Sequence, residues 1–329
     1  MSLQKQWTAH EEQLLSELWA STRLDLEKAF PSRSWESLRK KAKRLGLDAS
    51  PGGDSSAPLS EFEHRPRAVQ VTRKMRDLDY RLSKLVSPRV AFVPDIHYPY
   101  HDPAAVAAAE RVLRHYKPDL IVLLGDVVDF YELSDFDKNP NREKRLQDEL
   151  NQADDFFFRL RRDHPTAAIW YKEGNHEKRL QRYLWKYAKG LSSLTCLETS
   201  NLLRLPKHDI RFFTTKEKLR FGGAIITHGD RVRQKSGYTA HSMLWDRKMS
   251  GISGHTHRFA DVSISADGGT WRWIEAGCLC RLDPEYVDDK IPDWQQGMVL
   301  GTYSARRDRL DFTMVRVLEG EAYFDGKFI

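Results

Sequence analysis

The chain has 329 residues, 40% hydrophobic and 30% charged; this suits one large domain plus a small one and excludes a disordered chain, a collagen and a coiled-coil rod. No apolar run approaches the roughly 18–20 residues of a membrane span, and the start MSLQKQWTAHEEQ lacks the apolar stretch of a secretory signal. The net charge is +6, and residues 1–90 carry 17 Lys/Arg against 12 Asp/Glu, so five of the six excess positive charges lie near the N-terminus. Such asymmetry fits an N-terminal contact with a polyanion or a solvated basic face. Three cysteines, Cys196, Cys278 and Cys280, are too few for a disulfide framework, and the lone Cys278-x-Cys280 pair has no partner pair to complete a structural zinc site. A reducing, cytoplasmic setting is expected, with no membrane partner.

In chain order, residues 1–47 read as three helices. Thr8 and Glu11 form a T-x-x-E capping box that opens a helix running to about Ala20. A short helix, LDLEKAF, is stopped by Pro31. The third starts at Ser34, sets Trp35, Leu38, Ala42 and Leu45 along one stripe, and ends at Gly46. Trp7, Trp19, Phe30 and Trp35 supply a small aromatic core. Arg33, Arg39, Lys40, Lys41, Lys43 and Arg44 are the candidate nucleic-acid contacts, since a basic third helix of this size suits a major groove. The segment resembles a Myb/SANT-like helix-turn-helix module, chiefly through SWESLRKKAKRLGL. That resemblance implies a DNA partner, with a protein-interaction module as the alternative.

Residues 48–88 read as a linker followed by a basic helical segment. ASPGGDSSAPLS (49–60) is Pro/Gly/Ser-rich. Beyond it Val71, Met75, Leu78, Leu82 and Leu85 recur at helical spacing. From residue 89 to 329, apolar strands alternate with amphipathic helices: RVAFVP, then a helix N-capped by Asp102 with Pro103 at its first position, then LIVLLG, a long helix over 142–163, and AAIWYKE. After about residue 208 short strands dominate, with one helix near 238–248. This order predicts an α/β fold of sheets flanked by helices.

Five short motifs carry the chemistry: Asp95-Ile-His97, Gly125-Asp126-Val127-Val128-Asp129, Gly174-Asn175-His176-Glu177, Thr227-His228-Gly229 and Gly254-His255-Thr256-His257. Four follow apolar, strand-like runs, and the fifth follows KMSGIS, a weaker strand signal. Side chains at strand ends are presented rigidly on one rim of a sheet. Any one motif alone is more often a turn or a structural histidine. All five together, rich in carboxylate, amide and imidazole and free of thiolate, suit a hard-to-borderline divalent metal: Mn²⁺ first, with Fe²⁺, Zn²⁺ or Ni²⁺ as alternatives.

Over residues 89–260 the motifs resemble the calcineurin-like metallophosphoesterase superfamily. The resemblance implies a four-layer α/β/β/α sandwich with two divalent metal ions at the strand ends. Carried over by position, it implies Asp95, His97 and His257 on one metal, Asn175, His228 and His255 on the other, and Asp126 bridging. It implies His176 as the catalytic histidine and Asp129 as its carboxylate partner. Two metals about 3.5–4 Å apart clamp a phosphate and acidify a shared water. His176, beside the ligand Asn175, can reach the leaving oxygen, and Asp129 can orient it; the alternative for Asp129 is a helix N-cap, a role compatible with the first. Phosphoprotein phosphatases of the superfamily carry an Arg after the GDxxD motif, where this chain has Phe130. The paired His255 and His257 look more like the phosphodiesterase branch that contains the Mre11/SbcD nucleases.

Softer expectations complete the reading. Tyr98, Tyr100 and His101 are expected to line the mouth of the site, and Arg258 to contact phosphate. His241 is expected to be structural. The stretch EAGCLCRLDPEY…DWQQG resembles the closing segment of phage and prophage members, which implies a bacterial or phage-infected host. The leading expectation is a metal-dependent DNA nuclease with its own DNA-binding module, possible as a homodimer. The alternatives are a phosphomonoesterase or small-nucleotide phosphodiesterase with a protein-binding module, and a DNA-binding regulator with an inactive phosphoesterase domain.

Overall fold

The structure, a computed structural model, describes residues 7–19, 23–47, 71–135, 145–267, 269–283 and 292–329. The expected linker 49–60, residues 142–144 of the expected long helix and residues 284–291 of the closing segment lie outside them. The chain divides into two units, Met1–Arg67 and Ala68–Ile329.

The first unit holds helices α1 (Ala9–Leu18), α2 (Arg23–Ala29) and α3 (Trp35–Arg44). Thr8 and Glu11 cap α1 reciprocally, satisfying backbone donors that the first helical turn leaves open. Leu15, Trp19, Leu26, Phe30, Leu38 and Ala42 are buried together, with Trp7 and Trp35 packed against them. Two expected nucleic-acid contacts are used inside this unit instead. The Arg33 guanidinium is 2.8 Å from Glu11 and lies over the Trp7 ring at 4.4 Å. Lys41 pairs with Glu12 and also faces Trp7. With so small a core, neutralising buried cations locally costs less than leaving them unpaired. Arg39, Lys40, Lys43 and Arg44 remain exposed on α3, Lys40 paired with Glu36 one turn away.

The second unit begins about twenty residues earlier than the composition suggests. Helix α4 (Arg73–Ser83) belongs to it. Leu82 is buried with strand residues Val90, Leu120 and Ala168, an apolar burial worth roughly 1.5–3 kcal/mol. Asp79 of α4 accepts hydrogen bonds from Trp170 Nε1 at 2.7 Å and from Arg211. The charge run and the helical spacing indicate a basic helix; its buried stripe and the half-buried Asp79 decide where it packs.

The remaining elements are β1 (Arg89–Val93), α5 (Pro103–Tyr116), β2 (Leu120–Leu123), α6 (Leu146–Asp163), β3 (Ala168–Lys172), α7 (Glu177–Tyr187), α8 (Thr199–Leu202), β4 (Ile210–Phe213), β5 (Leu219–Phe221), β6 (Ala224–Thr227), α9 (Tyr238–Arg247), β7 (Gly251–Ser253), β8 (Phe259–Ala266), β9 (Gly269–Ala276), β10 (Gly297–Ser304), β11 (Arg309–Leu318), β12 (Glu321–Phe324) and β13 (Lys327–Phe328). They build an eight-stranded sheet, β13-β12-β11-β10-β1-β2-β3-β4, and a five-stranded sheet, β5-β6-β7-β9-β8. Side chains alternate across each strand. On β1 and β2, Val90, Phe92, Leu120 and Val122 enter a core shared with Ile226, Ile252 and Ile274 of the second sheet. Their neighbours Ala91, Val93, Ile121 and Leu123 face a second core with α5 and α6. On the outer face of the second sheet, Ala240, Met243 and Leu244 of α9 pack on Trp273. The result is the expected mixed α/β sandwich of two sheets between helices. No helix among the described residues is long and apolar enough to cross a membrane.

Candidate metal centre

Parallel pairing sets the site. β1, β2 and β3 run parallel with Val90 opposite Leu120 and Leu120 opposite Ala168. β6 and β7 are parallel in the other sheet. Asp95, Asp126 and Asn175 therefore leave the same rim of one sheet, and His228, His255 and His257 leave the ends of β6 and β7. Crevices beyond the carboxyl ends of parallel strands are where open α/β sheets bind ligands.

The loops are strained to bring these groups together. Asp95, His97, Asp126, His255 and His257 all have positive φ, between 24° and 70°, a region that side chains adopt at a cost and that clusters at functional sites. Two glycines permit the close approach. A Cβ on Gly174 would collide with Asp126 Oδ1, and one on Gly254 with Asp95 Oδ2.

Two clusters of donor atoms result. In one, His97 Nε2 is 3.0 Å from His257 Nε2, and Asp95 Oδ1 is 3.4 Å from the latter. In the other, His228 Nε2 is 2.8 Å from Asn175 Oδ1 and 3.1 Å from Asp126 Oδ2, with His255 alongside. Asp126 lies between them: its Oδ2 is also 3.7 Å from His97 Nε2 and 3.8 Å from His176 Nε2. All are buried or nearly so.

The hydrogen bonds behind these atoms show that the donor set fits cations. His228 Nδ1 donates to the Leu124 carbonyl at 2.9 Å, so the neutral ring presents an Nε2 lone pair to two further acceptors, Asn175 Oδ1 and Asp126 Oδ2. His97 Nδ1 donates to Asp129 Oδ2 at 3.1 Å, so its Nε2 lone pair points at His257 Nε2. Converging lone pairs repel unless a cation sits among them, and the rear hydrogen bonds fix the tautomers a metal needs. Burial pulls the His228 pKa down, but Asp126 outweighs it and pushes it up to about 10, so without a metal a proton on Nε2 takes the place among these acceptors that a cation would take. Burial raises Asp126, yet His228 and His176 hold it well below the usual carboxylate range.

His176 and Asp129 sit beside the first cluster, against His97. His176 Nδ1 is 2.9 Å from the Asp129 carbonyl and 3.2 Å from its Oδ2, and the His176 ring stands edge-on to His97 at 4.5 Å. Burial pulls the His176 pKa down; Asp126 and Asp129 more than offset this and raise it.

Sequence reasoning missed three groups. Glu177, fully buried, accepts from the backbone N–H of Asp126, Val127 and Gly174 at 2.8–2.9 Å and from Tyr171 Oη at 2.6 Å, tying the two ligand loops together. Burial and Asp126 nevertheless push its pKa up to about 7. Arg179 donates to the Asp129 carbonyl and carboxylate at 2.9 and 3.1 Å, and its Nη2 is 3.2 Å from His176 Nε2. Its signal was the i, i+3 spacing from His176. Glu275 accepts from Thr256 Oγ1 at 2.7 Å and from Ala240 N–H at 2.9 Å.

Among the softer candidates, Tyr98, Tyr100 and Arg258 are engaged elsewhere. Tyr98 is 2% exposed, its ring 6.0 Å from that of Phe156 on α6, so it faces the core and not the mouth. Tyr100 is also buried, against Tyr131. His101 packs its ring on Tyr98 at 4.4 Å and pairs by backbone with Cys280. Arg258 donates to the carbonyls of Arg233 and Gln234 and pairs with Asp293, so its guanidinium clamps a loop. Phe130 fills the core and its N–H is held by Glu149 at 2.8 Å. His241, expected to be structural, is exposed on α9.

Comparison with known proteins adds sequence likeness to this geometry. Residues 88–259 match the family model described as calcineurin-like phosphoesterase. The gene 54 protein of Mycobacterium phage L5 is 26% identical over 254 residues, 74% of this chain and 98% of that protein. The gene 54 protein of Mycobacterium phage D29 is 27% identical over 253 residues, covering 73% and 98% respectively. Among solved structures, vacuolar protein sorting 29 from Cryptosporidium parvum is similar at 12% identity and a TM-score of 0.41, over 73% of this chain and 96% of that one.

Proposed function

Because the chain belongs to the calcineurin-like phosphoesterase family, and is therefore a metal-dependent phosphoesterase, we propose that it is a nuclease that cleaves phosphodiester bonds in DNA. One observation supports this choice of substrate: a separate three-helix unit keeps Arg39, Lys40, Lys43 and Arg44 exposed on its third helix, Lys40 beside Glu36, while Glu11 and Glu12 neutralise the inward cations Arg33 and Lys41. Exposed cations in a row track a phosphate backbone. The pairing of His255 and His257 and the Phe at 130 favour a phosphodiesterase branch of the family over a phosphoprotein phosphatase.

Asp95, His97 and His257 would hold one divalent cation, Asn175, His228 and His255 the other, with Asp126 between them, and N/O donors of this kind suit Mn²⁺. Such a pair clamps the phosphate oxygens and supplies a water acidic enough to attack at neutral pH. The chain's own residues do the rest. Asp129 and the Glu177-tied loop hold His176 at the rim. From there His176 gives a proton to the departing alkoxide, a poor leaving group. Arg179 fixes Asp129 and adds positive charge where the pentacoordinate phosphorus gathers negative charge.

The test is a substrate panel with Mn²⁺: a diester chromogen, a monoester chromogen, and linear, nicked and single-stranded DNA. Turnover of the diester and of DNA is expected. Turnover of the monoester alone contradicts the reading. Replacing Arg39, Lys43 and Arg44 with Glu in the full chain should weaken DNA binding and lower its salt slope by about 1 per lost phosphate contact, leaving chromogen turnover intact.

A further inference from the structure

Helix α9 buries one face and displays another of unusual composition. Thr239, Ala240, Met243 and Leu244 are buried, the last three packing on Trp273. Tyr238, His241 and Trp245, at i, i+3 and i+7, form one stripe on the outside. Tyr238 is 57% exposed and Trp245 62%. The His241 and Trp245 rings are nearly parallel, 11° apart in plane. Large aromatic rings left in water beside one another mark a binding surface more often than an isolated exposed residue does.

The surroundings are cationic. Residues 230–248 carry Arg231, Arg233, Lys235, Arg247 and Lys248 against Asp230 and Asp246. Arg231 pairs with both acids, which leaves the other four cations unpaired by them and the stretch at a net +3. Lys248 Nζ lies 4.0 Å from the Trp245 ring centre and Lys235 Nζ 5.9 Å from that of Tyr238. Arg233, Ser236, Gly237, Tyr238, His241 and Val262 line a shallow groove there.

This surface is fixed to the metal centre by two links. Arg258, next to His257, holds the carbonyls of Arg233 and Gln234. Glu275 joins Ala240 of α9 to Thr256, which stands between His255 and His257.

We propose that the outer face of α9 and the loop before it form a stacking platform that feeds single-stranded DNA to the metal centre. The inference rests on the nuclease reading and adds the form of the substrate. Rings flanked by lysines recognise splayed bases and their phosphates together, whereas duplex bases have no exposed faces to stack on.

The test measures a dT hexamer as an inhibitor of chromogen hydrolysis, using whichever chromogen the wild-type chain turns over faster. This readout reports occupancy that competes with the chromogen, and the substitutions on α9 assign it to that helix. For Tyr238→Ala/Trp245→Ala the inhibition constant should rise about tenfold or more, while kcat/KM on the chromogen stays within about twofold of wild type. Trp245→Phe, which keeps an aromatic face, should retain most of the affinity. If the hexamer inhibits, is weakened by the double substitution and is never cleaved, the platform stands and the nuclease reading falls. Failure of the hexamer to inhibit the wild-type chain, or an unchanged constant in the double variant, overturns the platform even if DNA is cut.

Discussion

Replacing Asp126 with alanine is expected to lower phosphoester turnover about a thousandfold or more and to reduce bound metal. The carboxylate lies within reach of both donor clusters, 3.1 Å from His228 and 3.7 Å from His97. Removing it leaves the two imidazole sets without the charge that holds them together, and a dinuclear site is worth several kcal/mol of transition-state stabilisation, each 1.36 kcal/mol being tenfold in rate. Asp126→Asn keeps the shape and the acceptor toward the His176 N–H but loses the charge, and should be nearly as defective. Metal content by elemental analysis and kcat/KM on a diester chromogen check both. A near wild-type rate in either variant would remove Asp126 from the role proposed for it.

The second large effect falls on His176. His176→Ala should retain metal yet lose about 10²–10⁴-fold in kcat on substrates with alkoxide leaving groups, the usual contribution of a positioned general acid. The loss should shrink on a nitrophenyl ester, whose leaving group needs no proton. The pH dependence follows from the sign of the shift. A histidine acting as proton donor is active below its pKa, and the carboxylates beside His176 raise that pKa above its ordinary 6.5. Activity should therefore fall as pH rises through it, a limb absent from His176→Ala. Asp129→Asn removes one of the raising charges and should move the limb to lower pH. A pH profile identical in all three proteins would contradict the assignment.

Much of the site could be read before any fold was known, for a physical reason. Strands β1, β2 and β3 are runs of four or five residues, almost all buried, so an Asp, His or Asn just past each run must sit on the rim. What the sequence concealed depends on the direction of single side chains. Arg258 follows the candidate ligand His257, yet its backbone leads into β8 and its guanidinium turns to the Arg233 loop. Tyr98 follows His97, but points inward against α6. Glu177 stands next to His176 and threads backbone amides of two loops; only the folded loops, bent by residues at positive φ, reveal those donors. Arg33 and Lys41 read as part of a basic surface because their partners, Glu11 and Glu12, lie more than twenty residues away. Local composition reports which chemistry is present, and long-range pairing decides which charges remain available.

The most direct measurement is an anomalous difference map from a crystal soaked in Mn²⁺. The geometry requires two peaks roughly 3.5–4 Å apart with the Asp126 carboxylate between them, one among Asp95, His97 and His257, the other among Asn175, His228 and His255. A map with no density there, or with Asp126 touching neither peak, would contradict it.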